Sequence, residues 1–362
     1  MRKSRIIVKI GSSSLTEKAG HLSTSKINYY AARISQLTNE GHQVILISSG
    51  AVAAGFKLLG YPSRPVTISG KQAAAATGQS LLMQRYAEAF HQQELTCAQL
   101  LLTKNDFINE EQYSNASNTI NELLKRRIIP IINENDSTIT DELTFGDNDM
   151  LSALVSGFLH ADRLIILTDI DGIYNDNPLK NPHAKKYHQL NEITEEILSH
   201  AQGSSTKIGT GGMASKLRAA KTALSLGVHV FIGTGNDDRL LINILEGQGN
   251  GTYLSPTSLK VMRNKKQWIA YHSKSNGRIY IDDGAETAML KRGKSLLPIG
   301  ITSVEGDFQQ EDVIEVFNQK GLMIGKGKIN YHAKHLQKII SESENKKTKR
   351  IEAIHRDQWI PY

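Results

Sequence analysis

The sequence predicts an α/β protein: a three-layer α/β/α sandwich with a mainly parallel sheet, followed by a small, mostly β domain. Six short apolar runs separated by helical patterns indicate the sandwich, because strands buried on both faces of a parallel sheet carry near-continuous apolar residues. After about residue 255 the runs become shorter and alternate with turns, which indicates the second domain. The six predicted strands are Arg5–Ile10, Gln43–Ser48, Thr96–Leu102, Ile128–Asn133, Arg163–Thr168 and Val228–Gly233.

Helical periodicity fills the segments between these strands. Alternating strands and helices imply right-handed crossovers, and ligands in such domains bind beyond the carboxyl ends of the strands. The predicted helices of the first domain are Ser25–Glu40, Ala51–Leu58, Lys71–Gln92, Glu110–Lys125, Asp149–Leu159 and Met213–Leu226.

The second domain is predicted to contain four short strands and two helices. The strands are Arg278–Ile281, Gly300–Val304, Asp312–Phe317 and Leu322–Gly325, and the helices are Gly284–Arg292 and His332–Ile340. The resulting domain limits are residues 1–258 for the first domain, 259–275 for a linker, 276–355 for the second domain and 356–362 for a tail.

Composition and charge restrict the class of protein. The net charge of +7 arises after residue 259, where 19 basic residues accompany 12 acidic ones, whereas residues 1–259 hold 24 of each. Much of the excess lies in residues 260–266 and 346–350, and such runs are more typical of a solvated linker and tail than of a nucleic-acid surface. No apolar run approaches the ~20 residues that cross a bilayer. The single cysteine, Cys97, excludes an internal disulfide and fits a cytoplasmic protein.

A glycine-rich loop, Gly209–Lys216, leads directly into the last helix of the first domain. Its glycines allow backbone N–H groups to close around an anion, and the helix dipole favours negative charge at the same place. Lys216 adds a mobile positive charge in the first helical turn. The loop therefore predicts a phosphate site. Taken alone, a glycine-rich turn that only caps a helix explains it equally well.

Polar residues follow four of the predicted strands at the point where each strand ends. One such turn is routine, but four at equivalent topological positions predict a ligand site. The segments are Gly11–Ser14, Ser48–Gly50, Asn133–Asp136 and Thr168–Asp169.

Lys9 is charged within an otherwise apolar strand, so its ammonium group must reach water or meet an anion. Together with Lys216 it would place two cations on a phosphate from opposite sides. The alternative is a lysine that reaches solvent at the end of its strand.

The segment from Asn133 to Asp149 is rich in short polar side chains, among them Asp136, Asp147 and Asn148. Amide and carboxylate groups of this kind recognise the ammonium group of a small polar substrate. The structural alternative is an Asx turn and a helix N-cap, a role that suits Asp147.

Asp169 ends a buried strand beside a turn. An acid at this position would hold the two lysines or help with magnesium, and a turn-forming aspartate is an equal alternative. The sequence shows no metal-ligand cluster among its histidines, no nucleophile elbow and no Cys/His pairing. Phosphoryl transfer needs none of these, because it depends on positioning and on positive charge at the transferring oxygens.

These motifs, in this order, resemble those of the amino acid kinase family. The matching segments are Val8–Ser13, Ser48–Ala51, Asn133–Asp136, Gly146–Asp149, Leu167–Asp169 and Gly209–Lys216. Residues 283–285, 296–300 and 355–357 resemble the PUA domain that bacterial members of the family carry. The resemblance covers nearly the whole chain and implies the amino acid kinase fold for the first domain.

The resemblance implies ATP-dependent phosphorylation of the side-chain carboxylate of L-glutamate, the first step of proline biosynthesis, with Mg²⁺ accompanying ATP. Lys9 and Lys216 would neutralise charge on the transferred phosphoryl group while Asp169 orients them. The residues that would contact glutamate are Lys9, Ser49, Asp136 and Asn148. Those that would contact ATP are Thr168, Asp169, Thr210, Gly211, Gly212, Met213, Ala214, Ser215 and Lys216.

The resemblance also implies feedback inhibition by proline, hand-over of the product to glutamate-5-semialdehyde dehydrogenase and a homo-oligomer. The lack of a long apolar run predicts no membrane association. Two alternatives stay open. One is a kinase of the same fold that acts on aspartate, an acetylated amino acid or a nucleoside monophosphate. The other is an RNA-binding protein, because PUA domains elsewhere bind RNA. Against RNA, the second domain is slightly acidic once the two basic runs are set aside.

Overall fold

The computed structural model describes residues 3–17, 20–138, 148–178, 181–201, 212–256, 268–269, 273, 275–341 and 351–362. The chain forms two compact units. One comprises Met1–Asn105 and Ser114–Val261, and the other comprises Asp106–Tyr113 and Met262–Tyr362. The short segment Asp106–Tyr113, which the sequence analysis places in the first domain, therefore groups with the second unit. Most of the predicted linker lies outside the described residues.

An eight-stranded sheet forms the centre of the first unit. Its strands are β1 (Arg5–Ile10), β2 (Gln43–Ser48), β3 (Cys97–Leu102), β4 (Ile129–Glu134), β5 (Arg163–Leu167), β8 (Gln189–Leu190), β9 (His229–Thr234) and β10 (Asn250–Leu254). Their order is β3-β4-β2-β1-β5-β9-β10-β8, and all neighbours are parallel except β9 and β10. Strands β6 (Ile173–Tyr174) and β7 (Lys186–Tyr187) form a separate antiparallel pair. The predicted mainly parallel sheet is confirmed.

The helices up to residue 245 are α1 (Ser12–Leu15), α2 (Thr24–Asn39), α3 (Ala51–Gly55), α4 (Ile68–His91), α5 (Lys104–Ile108), α6 (Glu110–Lys125), α7 (Asn148–Phe158), α8 (Glu195–Ala201), α9 (Met213–Ser225) and α10 (Leu240–Leu245). A 3₁₀ turn, Phe56–Leu59, continues α3. Ile6 and Val8 of β1 share one core with apolar residues of α2, α4 and α10. Because side chains alternate along a strand, Lys9 faces the opposite layer, where α7 packs on β1 and on α9. The predicted three-layer sandwich is confirmed.

One strand differs from its prediction. The run Thr96–Leu102 is predicted to be buried on both faces, and this is wrong. Among the described residues β3 is an edge strand paired with β4 alone, and most of its residues are partly or fully exposed. The antiparallel strand β10 was not predicted, because its residues are too polar to stand out as an apolar run.

The second unit contains a five-stranded sheet. Its strands are β11 (Arg278–Ile281), β12 (Ile301–Glu305), β13 (Val313–Phe317), β14 (Met323–Ile329) and β15 (Ile354–Pro361), and its helices are α11 (Asp283–Leu290) and α12 (Ala333–Ser341). The order is β12-β11-β13-β14-β15, and β11 with β13 is the parallel pair. The predicted mostly β domain is confirmed. The predicted tail is wrong as far as Pro361, because β15 pairs with β14 and buries Trp359.

The segment Asp106–Tyr113 is anchored inside the second unit. Trp268 Nε1 donates to the carbonyl oxygen of Phe107 at 3.0 Å. Lys328 Nζ lies 2.8 Å from Glu110 Oε2 and 2.6 Å from Glu311 Oε2. Burial alone would lower the pKa of Lys328, but the hydrogen bonds and charges of the two glutamates raise it above its ordinary value, so the lysine stays charged.

A fragment that ends near residue 263 should fold, because the large sheet lies entirely before that point. The fragment loses Trp268, whose indole N–H binds the carbonyl oxygen of Phe107, and with it the rest of the unit to which Phe107 belongs. In the full chain Phe107 is only 3 % exposed. Phe107→Ala should therefore lower the thermal midpoint of the full chain by about 5–10 °C and barely change that of the fragment. Circular dichroism melts of the four proteins make the comparison. An insoluble fragment, or equal losses in both backgrounds, would contradict the prediction.

Candidate active site

A buried carboxylate lies between two buried lysines. Asp149 is 0 % exposed, Lys9 4 % and Lys216 6 %. Lys9 Nζ forms an ion pair with Asp149 Oδ1, and Lys216 Nζ lies 3.1 Å from Asp149 Oδ2. Two ammonium groups against one carboxylate give this cluster a net charge of +1. Because a buried net charge is costly, the arrangement favours an anion beside it.

Three separate elements bring these groups together. Lys9 comes from β1, Asp149 from the first turn of α7 and Lys216 from the first turn of α9. Helix α7 packs against both β1 and α9, so its first turn lies between the two lysines. The residues are far apart in the sequence and meet only when the sheet and both helices have formed.

The charges in the cluster support one another. Burial tends to raise the pKa of Asp149, but the charges and hydrogen bonds of Lys9 and Lys216 lower it below its ordinary value. The carboxylate is therefore ionised at neutral pH and holds both ammonium groups. Ser215 Oγ, one residue before Lys216, lies 3.2 Å from Asp149 Oδ2.

The expectation that Asp169 orients the two lysines is wrong, because Asp149 occupies that position. Asp169 is exposed beyond the end of β5, and Thr168 Oγ1 donates to its Oδ1 at 3.0 Å. Thr168 itself is buried at 6 % exposure. The sequence signal for Asp149 was an acidic residue at the start of an apolar helix, which suggested a cap and not an ion pair with distant lysines.

Ser49 and Asn148, both predicted to contact substrate, lie next to each other. Asn148 Nδ2 donates to Ser49 Oγ at 2.9 Å, to the carbonyl oxygen of Ser48 at 3.1 Å and to Asn133 Oδ1 at 2.8 Å. Its other amide atom, Oδ1, is buried and has no hydrogen-bond partner among the described residues. A free buried acceptor of this kind suits a donor group on a ligand.

Asp136 is the fourth residue predicted to contact the substrate, after Lys9, Ser49 and Asn148. It follows β4. Strand β4 neighbours β2, whose end leads to Ser49, so both residues lie at the same edge of the sheet. Burial raises the pKa of Asp136 above its ordinary value, and the positive charge of Arg64 opposes this shift.

Only part of the glycine-rich loop can be placed. Gly209, Thr210 and Gly211 lie outside the described residues, as does Asp147. Gly212 precedes α9, and Met213, Ala214 and Ser215 form its first turn with Lys216. The N-terminus of a 13-residue helix, the positive end of its dipole, thus lies beside the lysine cluster.

In the part of the chain that the structure describes, no three histidine, cysteine or acidic side chains are grouped as metal ligands. Within the same residues, no helix combines the length and the apolar character needed to span a membrane.

Comparison with known proteins matches both units. Residues 4–234 match the model of the amino acid kinase family, and residues 277–354 match that of the PUA domain. The chain is 55% identical over 367 residues to a glutamate 5-kinase of Bacillus mycoides, covering 100% of each protein. It is 54% identical over 362 residues to glutamate 5-kinase 1 of Bacillus licheniformis, covering 99% of each.

A solved carbamate kinase from Giardia lamblia bound to AMP-PNP shares the fold. It is 17% identical, with a TM-score of 0.52, and the match covers 70% of this chain and 99% of that one.

Removing the carboxylate that separates the lysines should destabilise the protein. Asp149→Asn leaves two like charges buried together and should cost about 3–5 kcal/mol in the free energy of unfolding. Asp169→Asn is the matched control, because Asp169 is exposed, and its effect should stay within about 0.5 kcal/mol. Urea titrations followed by far-UV circular dichroism, which reports on the helices and strands of the first unit, give both values. Equal stability of the two variants would show that Asp149 does not hold the lysines.

Proposed function

The chain belongs to the amino acid kinase family, and we propose that it transfers the γ-phosphoryl group of ATP to the side-chain carboxylate of L-glutamate. The products are L-glutamyl 5-phosphate and ADP, and the reaction is the first step of proline biosynthesis. One observation carries the proposal: the buried, net positive cluster of Lys9, Asp149 and Lys216 lies beside a helix N-terminus. Relatives that share more than half of its residues bear the name glutamate 5-kinase.

In this reaction the protein must place positive charge next to the phosphoryl group that is transferred. In the transition state the phosphoryl group spreads negative charge over its three equatorial oxygens. Lys9 and Lys216 would place ammonium groups on those oxygens from two sides, while Asp149 holds the lysines apart. Because the carboxylate already fixes both lysines, little reorganisation is needed when the charge develops.

The nucleophile comes with the substrate. A glutamate side chain has a pKa of about 4.3 and is ionised at neutral pH, so no general base is required. The part played by this chain is therefore to bring the carboxylate and the phosphoryl group together in line and to screen their mutual repulsion.

The acceptor end of the site suits a free amino acid. An ammonium group in a partly desolvated cleft needs a carboxylate or well-placed acceptors. Asp136 offers a carboxylate, and Asn148 offers the buried Oδ1 that has no partner among the described residues. An acetylated amine lacks the positive charge, so such a site should discriminate against N-acetylglutamate.

Mg²⁺ would enter as the metal of the MgATP substrate. The carboxylate of Asp149 is engaged by two lysines, whereas that of Asp169 is exposed at the end of β5. We infer that Thr168, Asp169 and the loop from Thr210 to Lys216 contact the nucleotide. Feedback by proline, hand-over to a dehydrogenase and a homo-oligomer stay predictions from the family.

The substrate is tested by trapping the acyl phosphate with hydroxylamine in the presence of ATP and Mg²⁺. L-glutamate should give the coloured hydroxamate faster than L-aspartate or N-acetylglutamate, and UMP should release ADP only slowly. The control is Lys216→Ala, which should lower kcat for glutamate by roughly 10²–10³-fold. Faster turnover of any other acceptor would contradict the proposed substrate while leaving the fold assignment intact.

As the pH is lowered, binding of glutamate should weaken at a higher pH than it would if Asp136 had the pKa of an ordinary aspartate. The ionised form of Asp136 attracts the ammonium group, and its pKa is raised, so kcat/KM for glutamate should be full above that pKa and fall as pH drops through it. The ordinary aspartate value is about 3.9. A pH profile of kcat/KM measures the inflection.

Asp136→Asn is the control for this profile. It should lower kcat/KM at neutral pH and leave only the inflection of the substrate carboxyl group. A profile with the same inflection in both proteins would assign the titration to another group.

A further inference from the structure

We propose that Gln79 is a further specificity-determining residue of the acceptor site, whose side-chain Nε2 donates a hydrogen bond to the α-carboxylate of the amino acid. The inference rests on the proposed function, since it takes a free amino acid as the acceptor. It derives from a series of three side-chain amides, Asn148, Asn133 and Gln79. Backbone groups set the orientations of the first two, and Asn133 sets that of Gln79.

The orientation of the first amide follows from a carbonyl group. Asn148 lies 3.1 Å from the carbonyl oxygen of Ser48, which can only accept a hydrogen bond. Asn148 must therefore present Nδ2 on that side. The same Nδ2 donates to Asn133 Oδ1 at 2.8 Å, so Asn133 presents its oxygen to Asn148.

The second amide is set independently by a backbone N–H group. The N–H of Glu134 can only donate, and it donates to Asn133 Oδ1 at 2.9 Å. The Nδ2 of Asn133 consequently faces Gln79 and donates to its Oε1 at 2.9 Å. With Oε1 engaged, Gln79 turns Nε2 away from Asn133.

Two atoms are left over at the ends of this series. Gln79 Nε2 is buried without a hydrogen-bond partner among the described residues, and so is Asn148 Oδ1. One is a donor and the other an acceptor. A buried donor is satisfied by a carboxylate and a buried acceptor by an ammonium group, which are the two groups on the α-carbon of a free amino acid.

The position of the series relative to the lysine cluster assigns the carboxylate. Asn148 is followed directly by Asp149, which holds Lys9 and Lys216, so the series begins beside the phosphoryl end of the site. Gln79 lies two amides further along. The side-chain carboxylate of glutamate belongs at the lysines, and the α-carboxylate therefore belongs at the Gln79 end.

Close packing of two helices holds Gln79 in place. A Cβ atom added to Gly78 would lie 1.9 Å from the carbonyl oxygen of Ala51, and one added to Gly55 would lie 2.0 Å from that of Ala74. Helices α3 and α4 therefore touch through their backbones, one residue before Gln79. Two turns later on α4, the hydroxyl of Tyr86 lies 2.9 Å from Ser48 Oγ, which ties the same helix to the end of β2.

The test compares L-glutamate with its α-carboxamide, L-isoglutamine. The analogue keeps the ammonium group and the nucleophilic side-chain carboxylate, but its α-group is neutral and carries N–H donors. Wild type should prefer glutamate in kcat/KM by roughly 10–100-fold, as expected for a lost charge-assisted hydrogen bond. Gln79→Glu keeps an oxygen for Asn133 and replaces the donor by an anion.

Gln79→Glu should raise the KM for glutamate by roughly 10–100-fold, leave the KM for ATP near its wild-type value and use isoglutamine better than glutamate. Gln79→Met removes the donor without adding charge. It should raise the KM for glutamate and leave the KM for isoglutamine nearly unchanged. Gln84→Glu is the matched control, because it makes the same substitution at an exposed position of α4. It should leave the KM values for glutamate and isoglutamine unchanged.

Equal losses for both acceptors in both Gln79 variants would make Gln79 a structural support only, and no loss for either acceptor would place it outside the site. These outcomes overturn the role of Gln79 without touching the proposed function. Wild-type protein that phosphorylates neither acceptor would instead overturn the proposed function, and that result is visible before any variant is made.

Discussion

The first unit depends on one ionic interaction, the carboxylate of Asp149 held between Lys9 and Lys216. Three buried charges are costly to remove from water, and removing the carboxylate would leave two buried cations repelling each other. The cluster therefore requires β1, α7 and α9 to pack in one arrangement. Its net positive charge is at the same time the property that a phosphoryl group needs, so the interaction that constrains the fold also prepares the site.

Two consecutive residues in the first turn of α7 divide the site into its two halves. Asn148 reaches the ends of β2 and β4 through Ser48 and Asn133, while Asp149 reaches the lysines. Because adjacent positions of a helix point about 100° apart, one short turn presents Asn148 to the ends of β2 and β4 and Asp149 to the two lysines. The distance between the two halves is therefore set by the rigid start of a helix and not by a loop.

In the second unit, segments that are far apart in the sequence pack against each other. Lys328 is buried between Glu110, from a segment more than two hundred residues earlier, and Glu311, which lies in the turn before β13. Nothing in the local sequence of the segment around Glu110 distinguishes it from an ordinary helix start. The final strand was likewise taken for a tail, because its polar residues hide a strand that is completed only by pairing with β14.

The sequence by itself determined the class of fold, the long helices, most of the longer strands and the strand ends where the site lies, because local periodicity and buried apolar runs are written in the chain. It also indicated Lys9 and Lys216, since a cation in an apolar strand and one after a glycine-rich loop that leads into a helix both suit an anion site. Only the tertiary structure decided that Asp149, not Asp169, holds them, and that the amides of Gln79, Asn133 and Asn148 form one series. Ion pairs and amide networks between distant segments depend on which side chains meet across the packed layers, and no local pattern encodes that meeting.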